Sequence, residues 1–151
     1  EQIRVLIHPQ SAIHSMVELC DGAVIAQLAS PSMDLPIQYA LTWPERRPAQ
    51  TPPLDFAALG SMTFFEPVLS ELPCLRLAMD CACRGGTAPA ILSAANEAAV
   101  ALFLQRKIGY NEIYDCVADA LSRIEINQTP ELEEILQADS AARKLVMERY
   151  T

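Results

Sequence analysis

Ten residues near the start of the chain carry most of its candidate chemistry. The stretch 7–16, IHPQSAIHSM, holds two histidines, two serines and a glutamine among apolar residues. His8 and His14 are the two histidines of the chain, and an imidazole can donate to an anion or transfer a proton near neutral pH. The pattern is typical either of a tight turn over residues 8–11, whose side chains bond the local backbone, or of a site for a polar ligand.

The two histidines have different expected roles. His8 ends a predicted strand beside Pro9, so we expect it to bond the adjacent turn. His14 lies in the next predicted strand, where the direction of the pleat decides whether its ring faces the core or a cleft. A hydrolase would need a third group to orient the base, and no G-x-S-x-G motif is present. We therefore expect Ser11 and His14 to act as donors around a polar ligand, not as nucleophile and base.

No metal or phosphate site is predicted. The cysteines lack C-x-x-C spacing, and most lie in predicted helices beside apolar residues, which favours reduced core thiols. They are Cys20, Cys74, Cys81, Cys83 and Cys116. The pair Gly85-Gly86 follows a predicted helix and indicates a helix end, not a loop that cradles phosphate.

The composition is that of a globular protein with an acidic surface. Of 151 residues, 51% are hydrophobic and 20% charged, and 19 acidic residues outnumber 11 basic ones, for a net charge of -8. Since a nucleic-acid site needs clustered positive charge, nucleic acid is not an expected partner. The most apolar segment, 88–104, is interrupted by Asn96 and Glu97, so we expect no membrane span.

The start of the chain predicts neither secretion nor a complete gene product. The opening EQIRVLIHP has no basic segment, apolar segment or cleavage site of a signal peptide. Because Glu1 stands where an initiator methionine would, we expect a fragment of a longer protein. Its expected location is the cytosol or the reducing stroma of an organelle.

The periodicity predicts an α+β fold in three parts. Residues 1–43 contain an apolar strand at 3–7, a hairpin of segments 11–19 and 23–29 around Asp21-Gly22, and a short helix from Pro36. Residues 44–72 are rich in proline and predict a linker. Residues 73–151 predict a small antiparallel helical bundle.

Start and stop signals divide the predicted bundle into five helices. The second of them, capped by Thr87, is apolar all round and should be central in the bundle. The predicted helices are 73–84, 88–107, 111–123, a short one beginning at Pro130, and a last one capped by Asp139 or Ser140.

The order of these pieces resembles the C-terminal part of the 1-deoxy-D-xylulose 5-phosphate reductoisomerases. The resemblance rests on RVLIHPQSAIHSMVELCDGAVIAQLASPSMDLPIQYALTWPER, followed by PPLDF, SMTFFEP, PCLRLAMD and GGTAPAILSAANEAAVALFL. It implies that residues 1–43 end an α/β catalytic domain that also forms a homodimer through its sheet, ahead of the linker and the bundle. The nicotinamide domain, the acidic metal ligands and the groups for the substrate phosphate would lie earlier in the parent protein.

The resemblance also assigns functions to residues. The parent would be an enzyme that uses NADPH and a divalent metal, Mg or Mn, and acts on a phosphorylated sugar, whereas this fragment alone would be inactive and bind no cofactor. His14 would lie at the substrate site, supported by Ser11. Pro31 and Met33 would form an apolar wall near the nicotinamide or substrate. The expected partners are the parent's own N-terminal domains and a second copy.

The sequence departs from the family at two places. Ser32, Asp34 and Leu35 replace the more usual Asp, Arg and Thr around Met33, and Ser93 replaces the usual Asn before Ala-Ala-Asn-Glu. An acid at position 34 would weaken the attraction of an anionic ligand. The alternative to a reductoisomerase is a free-standing, non-catalytic module for interaction or dimerisation that descends from the same family.

Overall fold

A computed structural model describes residues 2–149, which form two units. The first ends at Pro67 and the second begins at Val68. The first contains two strands and two short helices, and the second contains four helices, which confirms the α+β fold class. Residues 44–67, the greater part of the predicted linker, belong to the first unit.

The predicted hairpin is present in the first unit. Strands β1 (Ile13–Glu18) and β2 (Val24–Leu28) pair antiparallel, with Glu18 opposite Val24 beside the turn. The turn forms because the Asp21 carboxylate accepts the N–H of Ala23 at 2.9 Å while Gly22 adopts a φ of +85°, a conformation that glycine reaches without steric cost. These local contacts confirm the prediction made from Asp21-Gly22.

The predicted strand at 3–7 is not formed. Only Ile7 is paired, through an isolated antiparallel bridge in which Ile7 and Phe65 exchange two hydrogen bonds of 2.9 Å. The side chains of Ile3 and Val5 are exposed. An apolar run becomes a strand only beside a partner that pairs along its length, and the residues described offer it Phe65 alone.

Two helices complete the first unit. Helix α1 (Asp34–Thr42) begins two residues before Pro36, with Met33 at its N-cap and the N–H of Asp34 donating to Ser32 Oγ at 3.1 Å. Helix α2 (Phe56–Leu59) was not predicted. It is a single turn held by Asp55, whose carboxylate accepts two N–H groups of that turn at 2.9 and 3.0 Å.

The second unit is built around one central helix, as predicted. Helix α4 (Ala88–Leu104) packs against α3 (Pro73–Arg84), α5 (Glu112–Arg123) and α6 (Leu132–Arg149). Its buried side chains are mostly alanines, which let the neighbouring helices approach closely. They are Ala88, Ile91, Ala94, Ala95, Ala98, Ala99 and Leu102.

The prediction of two helices after Pro130 is wrong, because α6 is continuous. Ala138, Ala142 and Val146 recur at four-residue spacing and are all buried, so packing holds the helix together through the predicted break. Asp139 does not cap a new helix. Its carboxylate instead accepts a hydrogen bond of 2.8 Å from Arg143, one turn further on.

Arg143 also joins α6 to α4. Its guanidinium donates to Glu97 at 2.8 Å, in addition to its bond with Asp139. The hydrogen bonds to Asp139 and Glu97 raise the pKa of Arg143, whose guanidinium is a cation at every ordinary pH even without them.

The cysteine prediction is correct in part. All five thiols are free, and Cys81 and Cys116 are buried, but Cys20, Cys74 and Cys83 are exposed. Cys81 and Cys83 are two residues apart on one helix and therefore point to different sides.

No helix within residues 2–149 combines the length and the apolar character that crossing a membrane requires.

Candidate functional site

The polar stretch at 7–16 begins with a tight turn. The N–H of Ser11 donates to the carbonyl of His8 at 3.0 Å, with Pro9 at the second position of the turn, where its fixed φ fits. Ser11 then adopts a φ of +50°, in the left-handed region that a side chain disfavours, and it is exposed to solvent.

The His8 ring binds two main-chain groups of opposite kind. Nδ1 lies 3.0 Å from the carbonyl oxygen of Thr63, and Nε2 accepts the N–H of Ala12 at 3.3 Å. A carbonyl can only accept and an N–H can only donate, so Nδ1 carries the proton and the ring is neutral. The ring also stacks on Phe64, with centroids 4.8 Å apart and planes 14° apart.

Gln10 reaches the same segment as His8. Its amide nitrogen donates to Thr63 Oγ1 at 3.0 Å, and its amide oxygen accepts the main-chain N–H of Thr63 at 3.2 Å. Thr63 is thus held through its N–H, its carbonyl and its hydroxyl. The polar residues around the turn therefore bind a segment more than fifty positions away, as well as their own backbone.

His14 occupies a β-bulge. Ile13 lies opposite Leu28 and Ser15 opposite Gln27, so His14 is the additional residue in β1 that has no partner in β2. Bulges redirect side chains and are frequent beside active sites. The Nδ1 atom of His14 is buried and has no hydrogen-bond partner among the described residues, so the Ser11 hydroxyl does not bond to it. An unsatisfied buried nitrogen of this kind is uncommon in native proteins.

The loop that carries Pro31 and Met33 leaves the hairpin at the end where β1 begins. The N–H of Ala29 donates to the carbonyl of Ala12 at 3.0 Å, so residues 30–33 start beside the turn that contains Ser11. Pro31 is exposed, and 61% of Met33 is accessible. The four predicted site residues therefore come from one end of the hairpin.

A cleft of about 340 Å³ in the first unit was not predicted. It is lined by apolar residues of β2, of α1 and of the proline-rich segment, together with two hydroxyl groups. Ser30 Oγ donates to the carbonyl of Pro52 at 2.7 Å, whereas Thr51 Oγ1 is buried and has no hydrogen-bond partner within residues 2–149. The cleft is assembled from segments far apart in sequence, so no local pattern indicated it.

Metal-binding side chains do not come together in this part of the protein. Within residues 2–149 there is no group of three histidine, cysteine, aspartate or glutamate side chains that could hold an ion. The described residues do not form a metal site of their own.

Known proteins resemble the chain in sequence and in structure. Residues 28–145 match the family described as DXP reductoisomerase C-terminal domain, where DXP is 1-deoxy-D-xylulose 5-phosphate. The chain is 49% identical over 148 residues to the 1-deoxy-D-xylulose 5-phosphate reductoisomerase of Acetivibrio thermocellus. The aligned residues cover 98% of this chain and 39% of that protein. It is 51% identical over 144 residues to the 1-deoxy-D-xylulose 5-phosphate reductoisomerase of Ralstonia nicotianae. That alignment covers 95% of this chain and 37% of the Ralstonia protein.

Solved structures give the same result. The reductoisomerase of Zymomonas mobilis in complex with NADPH has a TM-score of 0.82 and 41% identity, over 97% of this chain and 39% of that one. A DOX-P reductoisomerase in complex with NADPH, fosmidomycin and magnesium has a TM-score of 0.79 and 38% identity, over 96% of this chain and 38% of that one. The chain spans about two fifths of the length of these relatives. It belongs to the DXP reductoisomerase family and corresponds to its C-terminal part.

Proposed function

We propose that this chain is the C-terminal part of an enzyme that converts 1-deoxy-D-xylulose 5-phosphate to 2-C-methyl-D-erythritol 4-phosphate, a step in isoprenoid precursor synthesis. The chain's membership of the family supports this proposal, as does its sequence identity of 49% and 51% to two bacterial reductoisomerases. When bound in the longer protein, NADPH would supply hydride and a divalent ion, Mg or Mn, would polarise the oxygens of the substrate. The remainder of the longer protein would hold the nicotinamide domain and the metal ligands, and this part alone would be inactive.

The contribution of this chain to the reaction depends on His14. The observation that carries the assignment is the buried, unpartnered Nδ1 of His14 on a β-bulge. A polar group of the substrate that reached this nitrogen would restore its missing hydrogen bond, and the bond would be stronger for a charged group than for a neutral one. Ser11, exposed on the adjacent turn, would add a hydroxyl to the same site.

Pro31 and Met33 would form the apolar wall of this site. Met33 is mostly exposed in the first unit, although a large apolar side chain is ordinarily covered. A nicotinamide ring or the carbon skeleton of the substrate would cover it. Such a wall excludes water while hydride is transferred.

The hairpin would form a homodimer interface. Val17 and Ile25 lie opposite each other and are 58% and 63% exposed, on a sheet of two strands that leaves backbone groups free along both edges. A second copy of the hairpin, or the N-terminal part of the longer protein, would cover these side chains. The proposed location is the bacterial cytoplasm or a plastid-type stroma.

The test is made in the full-length gene product that carries this chain, with NADPH consumption as the assay. His14→Ala removes one hydrogen bond to a charged or polar substrate group, so kcat/KM should fall by about 10- to 100-fold. The control is Ser15→Ala, because Ser15 is the next residue of β1, is exposed and pairs regularly with Gln27. It should stay within about twofold of the wild type.

Two results would contradict the proposal in different ways. Wild-type kinetics in a folded His14→Ala enzyme would show that the ring only packs against its neighbours. A full-length wild type without turnover, supplied with substrate, NADPH and Mg or Mn, would favour the alternative of a non-catalytic interaction module.

A further inference from the structure

Ala12, the residue that precedes β1, has both of its main-chain polar groups hydrogen-bonded. Ala12 is 1% exposed, its carbonyl accepts the N–H of Ala29 at 3.0 Å, and its N–H donates to His8 Nε2 at 3.3 Å. Ala12 lies two residues before His14. The ring of His8 therefore supplies one of the two hydrogen bonds that fix the backbone leading into the bulge.

The bulge needs such support. His14 has no partner residue in β2, so the strand pairing does not determine the direction of its side chain. Ser11, three residues earlier, has a φ of +50°. A residue other than glycine keeps this conformation only where the surrounding contacts impose it. The contacts available here are those of the turn, of the His8 ring and of Gln10.

The other contacts of His8 hold its ring in place. Nδ1 donates to the carbonyl of Thr63, the ring face stacks on Phe64, and Gln10 binds the N–H and hydroxyl of Thr63. A bridge between Ile7 and Phe65 joins the two segments immediately beyond. The ring is thus bound at both nitrogens and on one face, so it cannot rotate without losing these contacts.

We infer that His8 is a positioning residue for the reaction, which acts by holding the bulge that presents His14 to the substrate. This inference rests on the proposed function. His8 itself has both ring nitrogens occupied by main-chain groups, so it has neither a free donor nor a free acceptor for a ligand.

The first experiment is a double-mutant cycle in the full-length enzyme. If His8 acts through His14, then His8→Ala should lower kcat about three- to tenfold in the wild type and less than about twofold in a His14→Ala background. If His8 merely stabilises the fold, the double variant should lose kcat by the product of the factors found for the two single variants. Such a product, or wild-type kcat in His8→Ala, would overturn the inference.

A pair of conservative variants tests the geometry more closely. The side-chain oxygen of His8→Gln can replace Nε2 as the acceptor for Ala12, whereas the amide nitrogen of His8→Asn can replace Nδ1 as the donor to Thr63. Since the bond to Ala12 leads into the bulge, His8→Gln should recover more of kcat than His8→Asn. The reverse order would overturn the inference, because the link to Thr63 would then be the important one.

Imidazole nitrogen NMR of the same full-length protein separates this inference from the proposed function, because it needs no turnover. The spectrum should show His8 protonated on Nδ1, and His8→Ala should shift the ring resonances of His14. A proton on His8 Nε2, or a His14 ring unaffected by His8→Ala, would contradict the positioning role. If the NMR result is as expected but His14→Ala keeps full turnover, the assignment of His14 to the substrate site is wrong, and the positioning role in catalysis is wrong with it.

Discussion

Thr87 and Asn127 exchange hydrogen bonds across forty residues of the second unit. The N–H of Thr87 donates to the carbonyl of Asn127 at 2.9 Å, and the N–H of Asn127 donates to the hydroxyl of Thr87 at 3.1 Å. The pair joins the start of α4 to the segment between α5 and α6. Thr87 is buried and stands at the N-cap of α4, as predicted, but its hydroxyl makes no capping bond to the helix and accepts the N–H of Asn127 instead.

Gly86→Ala should destabilise the bundle severely. Gly86 has a φ of +59°, and an added Cβ would overlap the carbonyl oxygen of Asn127 and lie 2.9 Å from Gln128 Cα, both of them backbone atoms that cannot move aside cheaply. We expect strain of about 1–2 kcal/mol from the backbone conformation and a further 1–3 kcal/mol from the overlap. Urea unfolding, monitored by circular dichroism, measures the total loss of unfolding free energy.

Gly85→Ala is the matched control for Gly86→Ala. Gly85 has a φ of +67°, but nothing lies within 4 Å of an added Cβ. Only the conformational strain should remain, about 1–3 kcal/mol, because Gly85 combines this φ with a ψ of -152°, a region that is essentially restricted to glycine. Equal losses at the two positions would show that the contact with Asn127 is not tight.

Thr87→Val should cost about 1–3 kcal/mol of unfolding free energy, because it leaves the N–H of Asn127 without its acceptor at nearly unchanged side-chain volume. Thr87→Ser keeps the hydroxyl and should recover most of the loss. Thr129→Val, at an exposed position nearby, should change stability by less than about 0.5 kcal/mol. Thermal and urea unfolding of the three variants measure these differences, and a loss that Thr87→Ser fails to recover would assign the effect to packing.

The buried thiol of Cys81 should make stability depend on pH at the alkaline end. Burial raises the pKa of Cys81 above its ordinary value of 9.0. In the unfolded chain the thiol therefore ionises first, so its contribution to stability is complete below pH 9.0 and is lost as the pH rises through the higher folded value. The urea midpoint should fall between about pH 8 and about pH 10 in the wild type, and fall less in Cys81→Ala.

Cys83 provides the control for Cys81, because it lies two residues away on α3 and is exposed. Cys83→Ala should keep the wild-type dependence on pH. In the native wild type, iodoacetamide should modify Cys83 well before Cys81, as measured by mass spectrometry of the peptide that contains both. Equal rates would mean that the reagent reaches Cys81 in spite of its burial.

The features predicted correctly are those whose causes are local in sequence. The hairpin follows from Asp21-Gly22, and the end of α3 follows from Gly85-Gly86, because turn and cap geometry depends on a few adjacent residues. The prediction of a helix break near Asp139 is wrong because packing, and not the adjacent residues, decides whether α6 continues. A capping residue favours a helix start only weakly, and burial of Ala138 and Ala142 on one stripe outweighs it.

The candidate site was predictable in its residue types and not in its geometry. The sequence singled out His14, but its unpartnered nitrogen depends on a bulge, and the bulge depends on the register against β2. The contacts of His8 with Thr63 and Phe64 join segments more than fifty residues apart, so no periodicity within either segment could indicate them.

Asp34→Arg should strengthen the binding of an anionic ligand in the full-length enzyme. Asp34 begins α1 one residue after Met33, and it is exposed. If NADPH and the substrate bind there, reversing this charge should lower the KM for one of them by about two- to fivefold at low salt. The gain should shrink above about 0.1 M salt, where the Debye length falls to about 10 Å.

The control for Asp34→Arg is Glu66→Arg, which makes the same change of charge at another exposed position of the first unit. General attraction by the whole protein would lower KM equally in both variants, whereas a site at the Met33 loop predicts the effect for Asp34→Arg alone. An unchanged KM for both ligands in Asp34→Arg at low salt would mean that neither anion binds near this loop. The proposed apolar wall of Pro31 and Met33 would then have to face something other than the nicotinamide or the substrate.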